Sequence, residues 1–322
     1  MPDFNFFDSV ATELNIVEQN LVTSIDTNID ILHEASVHLI HAGGKRLRPA
    51  FVLLASRLFN QDITNAIPMA VALELVHMAT LVHDDVIDNS MARRGTITVK
   101  KGWGNKVSIY SGNYIFAKSL AIVAQYNRSD LLEIMADTSV KICEGEIIQM
   151  FSSYNVDIGI KNYLRRIERK TALLIAVSCQ LGALVSNAPA GHVNNIEKYG
   201  YFLGMAFQVT DDILDLVADE EILGKPTGSD IRQGVITLPA LYAMYHSKHR
   251  EELREALASP EQCNLNTARI IDMITDSDGI DYAHYVSQRY AVKAQNQLKK
   301  LPDIPEKQVF YDIANYILDL DY

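Results

Sequence analysis

Asp84, Asp85 and Asp88 close the stretch VALELVHMATLVHDDVID, and Arg93 and Arg94 follow a few residues later. On a helix, positions four apart share a face, with Cβ atoms about 5–6 Å from each other, so Asp84 and Asp88 point the same way. Two carboxylates that close repel, and one would take up a proton unless a cation sits between them. The pattern recurs at Asp211, Asp212 and Asp215 in FQVTDDILD. Mg²⁺ prefers a few carboxylates plus substrate phosphate oxygens in octahedral geometry, so these six aspartates are candidate metal ligands. A solvated acidic helix end is the plainer explanation for one such cluster. It explains less well a pair that each follow an apolar run.

Cations stand where phosphate oxygens would need them. Arg93 and Arg94 precede Gly95, a spacing that suits a loop folding back over a metal–phosphate complex, and the planar guanidinium matches phosphate oxygens. In GGKRLRP, residues 43–49, the amides of a helix start join Lys45 and Arg48 in a ready anion site, although basic helix starts are common. His77 lies two turns before Asp84 on nearly the same face; alone, it reads more simply as a satisfied core histidine. Lys170 and Thr171 interrupt an otherwise apolar helix, and an inward ammonium needs an anion. Lys225 in LGKPTGSD means little by itself. The stretch ITDSDGIDYAHY has Ile274 and Tyr285 at the first and twelfth positions, where a calcium loop needs acidic ligands, and is excluded as one.

The elements that must position these groups read as helices. Apolar residues recur at helical spacing over Asp8–Ser24, Ile29–Ile40, Ala50–Phe59, Asn65–His83, Lys106–Ala124, Ser129–Phe151, Lys161–Val185 and Asn194–Val217. Helices also fill most of the chain beyond Leu238. Asn89–Asn105 and Ala218–Val235, rich in glycine and proline, read as loops beside the two clusters. No strand alternation is evident, and the expectation is one all-α domain over residues 1–322.

Composition bounds the rest. The 322 residues allow a substantial core. A net charge of −11 argues against nucleic acid, which selects basic surfaces. Cys143, Cys179 and Cys263 lie far apart and outside any CxxC spacing, as expected of reduced core thiols in a cytoplasmic protein. MPDFNFFDSV lacks the layout of a signal peptide. No apolar run approaches the ~18 residues of a spanning helix, so any membrane contact is expected to be peripheral.

Together these motifs resemble the trans-prenyl diphosphate synthases, which lengthen isoprenoid chains head to tail. The resemblance runs from GGKRLRP to about Pro239. It implies an isoprenoid-synthase-type helical bundle around a deep central cavity, two acidic motifs facing each other at its mouth, and a dimer. It implies that Asp84, Asp88 and Asp211 are the main ligands of Mg²⁺, with three ions per site once substrate is bound, and that Asp85, Asp212 and Asp215 support them. Arg93, Lys170 and Lys225 would hold an allylic diphosphate such as farnesyl diphosphate. Gly44, Lys45, Arg48, His77 and Arg94 would hold isopentenyl diphosphate, and Thr171 and Gln208 would flank the allylic carbons. The implied reaction is ionisation, condensation and elimination, repeated once per five-carbon unit.

Product length should follow how far the tail descends beside the helix bearing Asp84. Ala79 and Thr80 lie one turn deeper, Val76 two and Ala72 three, each turn adding roughly 5.4 Å. Short-chain members carry bulky aromatics there, so about six to eight units are expected. NYLRRIERKTALLIAVSCQLGA is most similar to the catalytic large subunits of heteromeric heptaprenyl diphosphate synthases, which serve menaquinone synthesis. That implies a smaller component I partner. Three departures stand out: Val235 where short-chain members often have lysine, Asn113 in place of an aspartate, and a C-terminal DLDY without basic residues. The rival readings are a homomeric hexaprenyl-to-octaprenyl synthase, a class I terpene cyclase and a non-catalytic regulatory subunit.

Overall fold

A computed structural model describes residues 5–218 and 227–319. Lys225 and the last three residues of the DLDY terminus lie outside the described residues. The all-α expectation holds. After a 3₁₀ turn, Asn5–Val10, come α1 (Ala11–Thr23), α2 (Asp30–His41), α3 (Leu47–Arg57), α4 (Ala66–Ile87), α5 (Val99–Ala124) and α6 (Ser129–Ser152). Next are α7 (Ile160–Ile167), α8 (Leu173–Val185) and α9 (Ala190–Val217). Then follow α10 (Ser229–Arg232), α11 (Leu238–His246), α12 (Arg250–Leu257), α13 (Pro260–Thr275), α14 (Gly279–Leu298) and α15 (Lys307–Leu318). The chain divides into two compact units. The first takes residues up to Ala136 with Val177–Ile196; the second takes Asp137–Ala176 and the chain from Glu197.

The spine of the first unit is α4. Val71, Leu73, Leu75, Val76 and Met78 are all buried, on every side of the helix, the mark of a core helix rather than a surface one. It packs against α3 and α5. By length and composition α4 could also cross a membrane, which corrects the expectation that no segment is apolar enough. Its most apolar window is 72% buried within the protein, so its apolarity is met by neighbouring helices. The helix stops where Asp88 N–H donates to the Asp84 carbonyl at 2.8 Å and Asn89 turns left-handed at φ 53°.

The segment read as a loop after Asp88 is more ordered than expected. Ala92–Arg93 and Thr96–Ile97 pair antiparallel, with Arg93 opposite Thr96. Arg94 and Gly95 between them both have positive φ, 51° and 76°, as a tight two-residue turn requires. The next helix begins at Val99 instead of Lys106, capped by Thr98, whose hydroxyl accepts from Lys101 N–H at 3.2 Å. Gly104, at φ 82°, breaks the helical path inside α5, which hides the helix start from a periodicity argument.

In the second unit α9 buries Met205, Val209, Ile213 and Leu216 along one face, in a core that also takes Tyr163 and Ile167 of α7. Between α7 and α8 the helix widens into one π-helical turn, Glu168–Ala172. Such turns occur mostly as single insertions and often mark functional sites. Cys179 and Cys263 are buried, but Cys143 is exposed on α6, which corrects its reading as a core thiol.

Candidate active site

In the first unit the basic residues divide between anchoring and presentation. Arg46 caps α3 in a left-handed conformation, φ 48°. Its guanidinium donates to Glu18 at 2.6 and 2.7 Å, to Glu74 at 2.8 Å and to the Ile40 carbonyl at 3.1 Å. It thereby ties α1, α2 and α4 to the Gly43–Gly44 turn. Arg94, at the hairpin tip, donates to the Gly43 carbonyl. A Cβ on Gly44 would lie 2.5 Å from the Arg94 guanidinium, so a side chain there would displace Arg94 from the turn. Arg48 keeps a buried Nε with no hydrogen-bond partner. Burial pushes its pKa down to about 10, Arg94 adds to the fall and Glu74 opposes it. Lys45 is exposed beside them.

His77 sits among these cations. Burial, then Arg48, Arg94, Arg93 and Arg46, hold its pKa well below 6.5, so the imidazole is neutral at neutral pH. An unfolded chain protonates His77 near pH 6.5 while the folded chain does not. Stability contributed by the neutral form is therefore complete above pH 6.5 and lost as pH falls below it. Unfolding free energies measured in urea between pH 5 and 7 should fall with acid by up to about 1.4 kcal/mol per pH unit from this residue. His77→Gln should flatten that slope.

The first acidic cluster is split by burial. Asp85 is buried, and Arg93 reaches back from the hairpin to its Oδ1 at 2.8 Å from both Nε and Nη2. Burial raises the Asp85 pKa, and Arg93 partly offsets this. Asp84 is half-buried and Asp88 is exposed. One hairpin thus sends neighbouring arginines to different targets, Arg93 to Asp85 and Arg94 to the glycine turn. Deeper along α4, Val76 and Ala79 are buried and Thr80 is half-buried, its hydroxyl donating to the His77 carbonyl at 2.7 Å.

The second cluster is split likewise. Asp211 is exposed. Asp212 is buried and accepts from Tyr163 Oη on Oδ2 at 2.8 Å and from Gln208 Nε2 on Oδ1 at 2.9 Å. Burial, then Asp230, push its pKa up to about 7. Asp215 is buried and accepts from the Asp230 N–H at 3.0 Å, tying α9 to the start of α10. Thr171 and Gln208 pair at 2.5 Å. The close approach of the π turn to α9 depends on Gly204, where a Cβ would lie 2.5 Å from Ala172 Cα. Lys170, expected to point inward, is exposed, with Nζ 3.3 Å from Gln149 Oε1. Its apolar neighbours Ile167, Ala172 and Leu174 are buried while Lys170 itself, within the widened turn, is not.

Tyr163 and Glu74 were not among the residues singled out from sequence. Tyr163 is fully buried, with the Arg166 guanidinium 5.4 Å from its ring centroid. Tyr163→Phe leaves Asp212 Oδ2 without that donor at nearly constant shape. A hydrogen bond to a charged group contributes about 1.5–3 kcal/mol, so urea unfolding above pH 7, where Asp212 is ionised, should show a loss of about 2 kcal/mol. Nothing in the local sequence signals this contact, which spans 49 positions. Glu74 left a signal, a lone acid in an apolar helix.

The accessible carboxylates suit a hard cation. In the first cluster Asp84 and Asp88 present carboxylate oxygens toward solvent and Asp85 is buried; in the second Asp211 is exposed and Asp212 and Asp215 are buried. Among the described residues no three acidic, histidine or cysteine side chains form a ready metal group. Carboxylate oxygens of this kind are the donors Mg²⁺ takes, one or two at a time, together with water and substrate phosphates.

Comparison with known proteins places the chain. The polyprenyl synthetase family model matches residues 29–274. Heptaprenyl diphosphate synthase component 2 of Geobacillus stearothermophilus is 45% identical over 97% of both chains. The structure of heptaprenyl diphosphate synthase from Staphylococcus aureus aligns with a TM-score of 0.89 at 38% identity, covering 97% of this chain and 98% of that one. A polyprenyl synthase from Caulobacter crescentus, solved with calcium and isoprenyl diphosphate, aligns at 0.92 and 33% identity, covering 98% and 97%. With paired acidic motifs, a cationic turn and likeness along nearly its whole length, the chain belongs to the polyprenyl synthetase family.

Proposed function

We propose that this chain is the catalytic subunit of a heteromeric trans-prenyltransferase. It condenses isopentenyl diphosphate with an allylic diphosphate, farnesyl diphosphate in the first round, to make heptaprenyl diphosphate for menaquinone. The observation that carries the reading is the convergence of Arg48, Arg94 and His77 on the Gly43–Gly44 turn, in the unit whose α4 also bears Asp84. A diphosphate complements the charge of Arg48 and Arg94, with the neutral His77 imidazole beside them.

Lys45, Arg48, Arg94, His77 and Gly44 grip isopentenyl diphosphate. Arg93 and Lys170, with Lys225, hold the allylic diphosphate. Asp84, Asp88 and Asp211 would hold Mg²⁺, three ions per site once substrate is bound, and the metal would supply charge neutralisation as the allylic C–O bond breaks. Asp85, Asp212 and Asp215 stiffen the two clusters from behind through Arg93, Gln208, Tyr163 and the Asp230 amide. Thr171 and Gln208 line the allylic carbons. The double bond of isopentenyl diphosphate attacks the cation so formed, and a proton leaves to the departing diphosphate. The work is done in the cytoplasm, with peripheral membrane contact for release of the product.

A small component I subunit completes the enzyme. On α6, Val140, Cys143, Ile147 and Met150 are exposed at spacings of three, four and three residues, and Phe151 beside them is 78% exposed. That is the seam of a helix awaiting another helix. Incubation with farnesyl diphosphate, isopentenyl diphosphate and Mg²⁺, followed by product sizing, should give seven-unit chains only with the small subunit. Full activity of the chain alone would replace this reading with a homomeric synthase. Cys143 offers a second readout, because the other two thiols are buried. Its alkylation should slow at least about tenfold when the small subunit binds, whereas protection in the chain alone would point to a second copy of it.

A further inference from the structure

The role above leaves one buried charge on α4 unused. Glu74 is 1% exposed, and its Oε1 accepts from Arg46 Nη1 at 2.8 Å. Its Oε2 is buried with no hydrogen-bond partner. A carboxylate half-satisfied in this way is costly unless positive charge surrounds it. Arg46, Arg48 and Arg94 provide that charge: the field of Glu74 favours the charged form of each of the three. Arg48 in turn has a buried Nε with no partner. The cluster is therefore three guanidinium groups compensated by Glu74 from within and by Glu18 from its more exposed side.

We propose that Glu74 is the resident counter-charge of the cationic turn and weakens that turn's hold on a diphosphate. The proposal rests on the reading of this turn as the isopentenyl diphosphate site. Its purpose follows from the reaction: each condensation leaves the lengthened chain on the diphosphate that isopentenyl diphosphate brought. That group must leave the turn before the next round. Without Glu74, the summed field of the three arginines would hold it too firmly.

The test is calorimetric titration of inorganic pyrophosphate in EDTA, so that metal-assisted binding at the aspartates does not contribute. Glu74→Gln should bind pyrophosphate about tenfold tighter than the natural chain or better, and its KM for isopentenyl diphosphate should fall in parallel. Glu18→Gln, which loosens Arg46 but leaves Glu74 in place, should shift the affinity far less. If Glu74→Gln binds no tighter while Arg48→Gln binds more weakly, the counter-charge is wrong and the site stands. If Arg48→Gln leaves binding unchanged, the diphosphate is held elsewhere and both ideas fall. A Glu74→Gln chain that is unfolded alone but regains its melting transition with pyrophosphate supports the proposal; one that pyrophosphate does not rescue overturns it.

Discussion

Replacing Ala79 by phenylalanine should shorten the product from about seven five-carbon units to about four or fewer, because the new ring would stand one helical turn, roughly 5.4 Å, below Asp84. Ala79 is 2% exposed, with Val76 also buried two turns down. If the growing chain descends beside α4, the face it follows carries small or aliphatic side chains, Ala79, Val76 and Ala72. A ring fixed to a rigid helix cannot swing clear as a loop residue could. Overpacking a buried alanine site costs about 1–3 kcal/mol, so the variant's melting temperature should be measured beside its products. Chromatography of the extracted, dephosphorylated chains is the deciding readout. Products of unchanged length from a folded Ala79→Phe protein would remove the helix-ruler idea.

The second large effect is expected at the aspartates, and burial sorts them. Asp84→Ala and Asp211→Ala should each lower kcat about 10³-fold or more. A metal ion at a developing diphosphate charge contributes several kcal/mol to the transition state, and each 1.36 kcal/mol is tenfold in rate. If both act on one diphosphate, as proposed, the double variant should lose less than the product of the two, because the effects of groups acting as a unit do not add. Asp212→Asn should behave differently. Its carboxylate is turned toward Tyr163 and Gln208, so the loss should come with a lower unfolding free energy. Steady-state rates over a Mg²⁺ series, with urea melts of the same proteins, separate the cases. Activity within tenfold of normal for a folded Asp84→Ala protein would take the metal away from α4.

Part of this was legible in the residue order because the relevant spacing is local. A helix repeats every 3.6 residues, so Asp84 and Asp88 share a face wherever the helix lies, and α4 could be read as ending at its acidic cluster. The same periodicity missed the start of α5, where Gly104 departs from helical geometry. It read the hairpin as loop because two two-residue strands carry no detectable alternation. The exposure of Lys170 was hidden for a different reason: its apolar neighbours in sequence did not reveal the π turn at Glu168–Ala172 in which it sits.

Residue types and short spacings were enough for the all-helical class, the two acidic clusters and the cationic turn, since these depend on hydrogen bonds and side-chain periods within a few residues. Which charge does which task was set by distant partners. Arg46 is drawn into anchoring by Glu18 and Glu74, each 28 positions away, and Asp212 is held by a phenol 49 positions away. A charge buried beside an opposite charge becomes a fixed strut; the same side chain exposed to water stays available to a ligand. Only the packing of helices against one another assigns each to its side of that line.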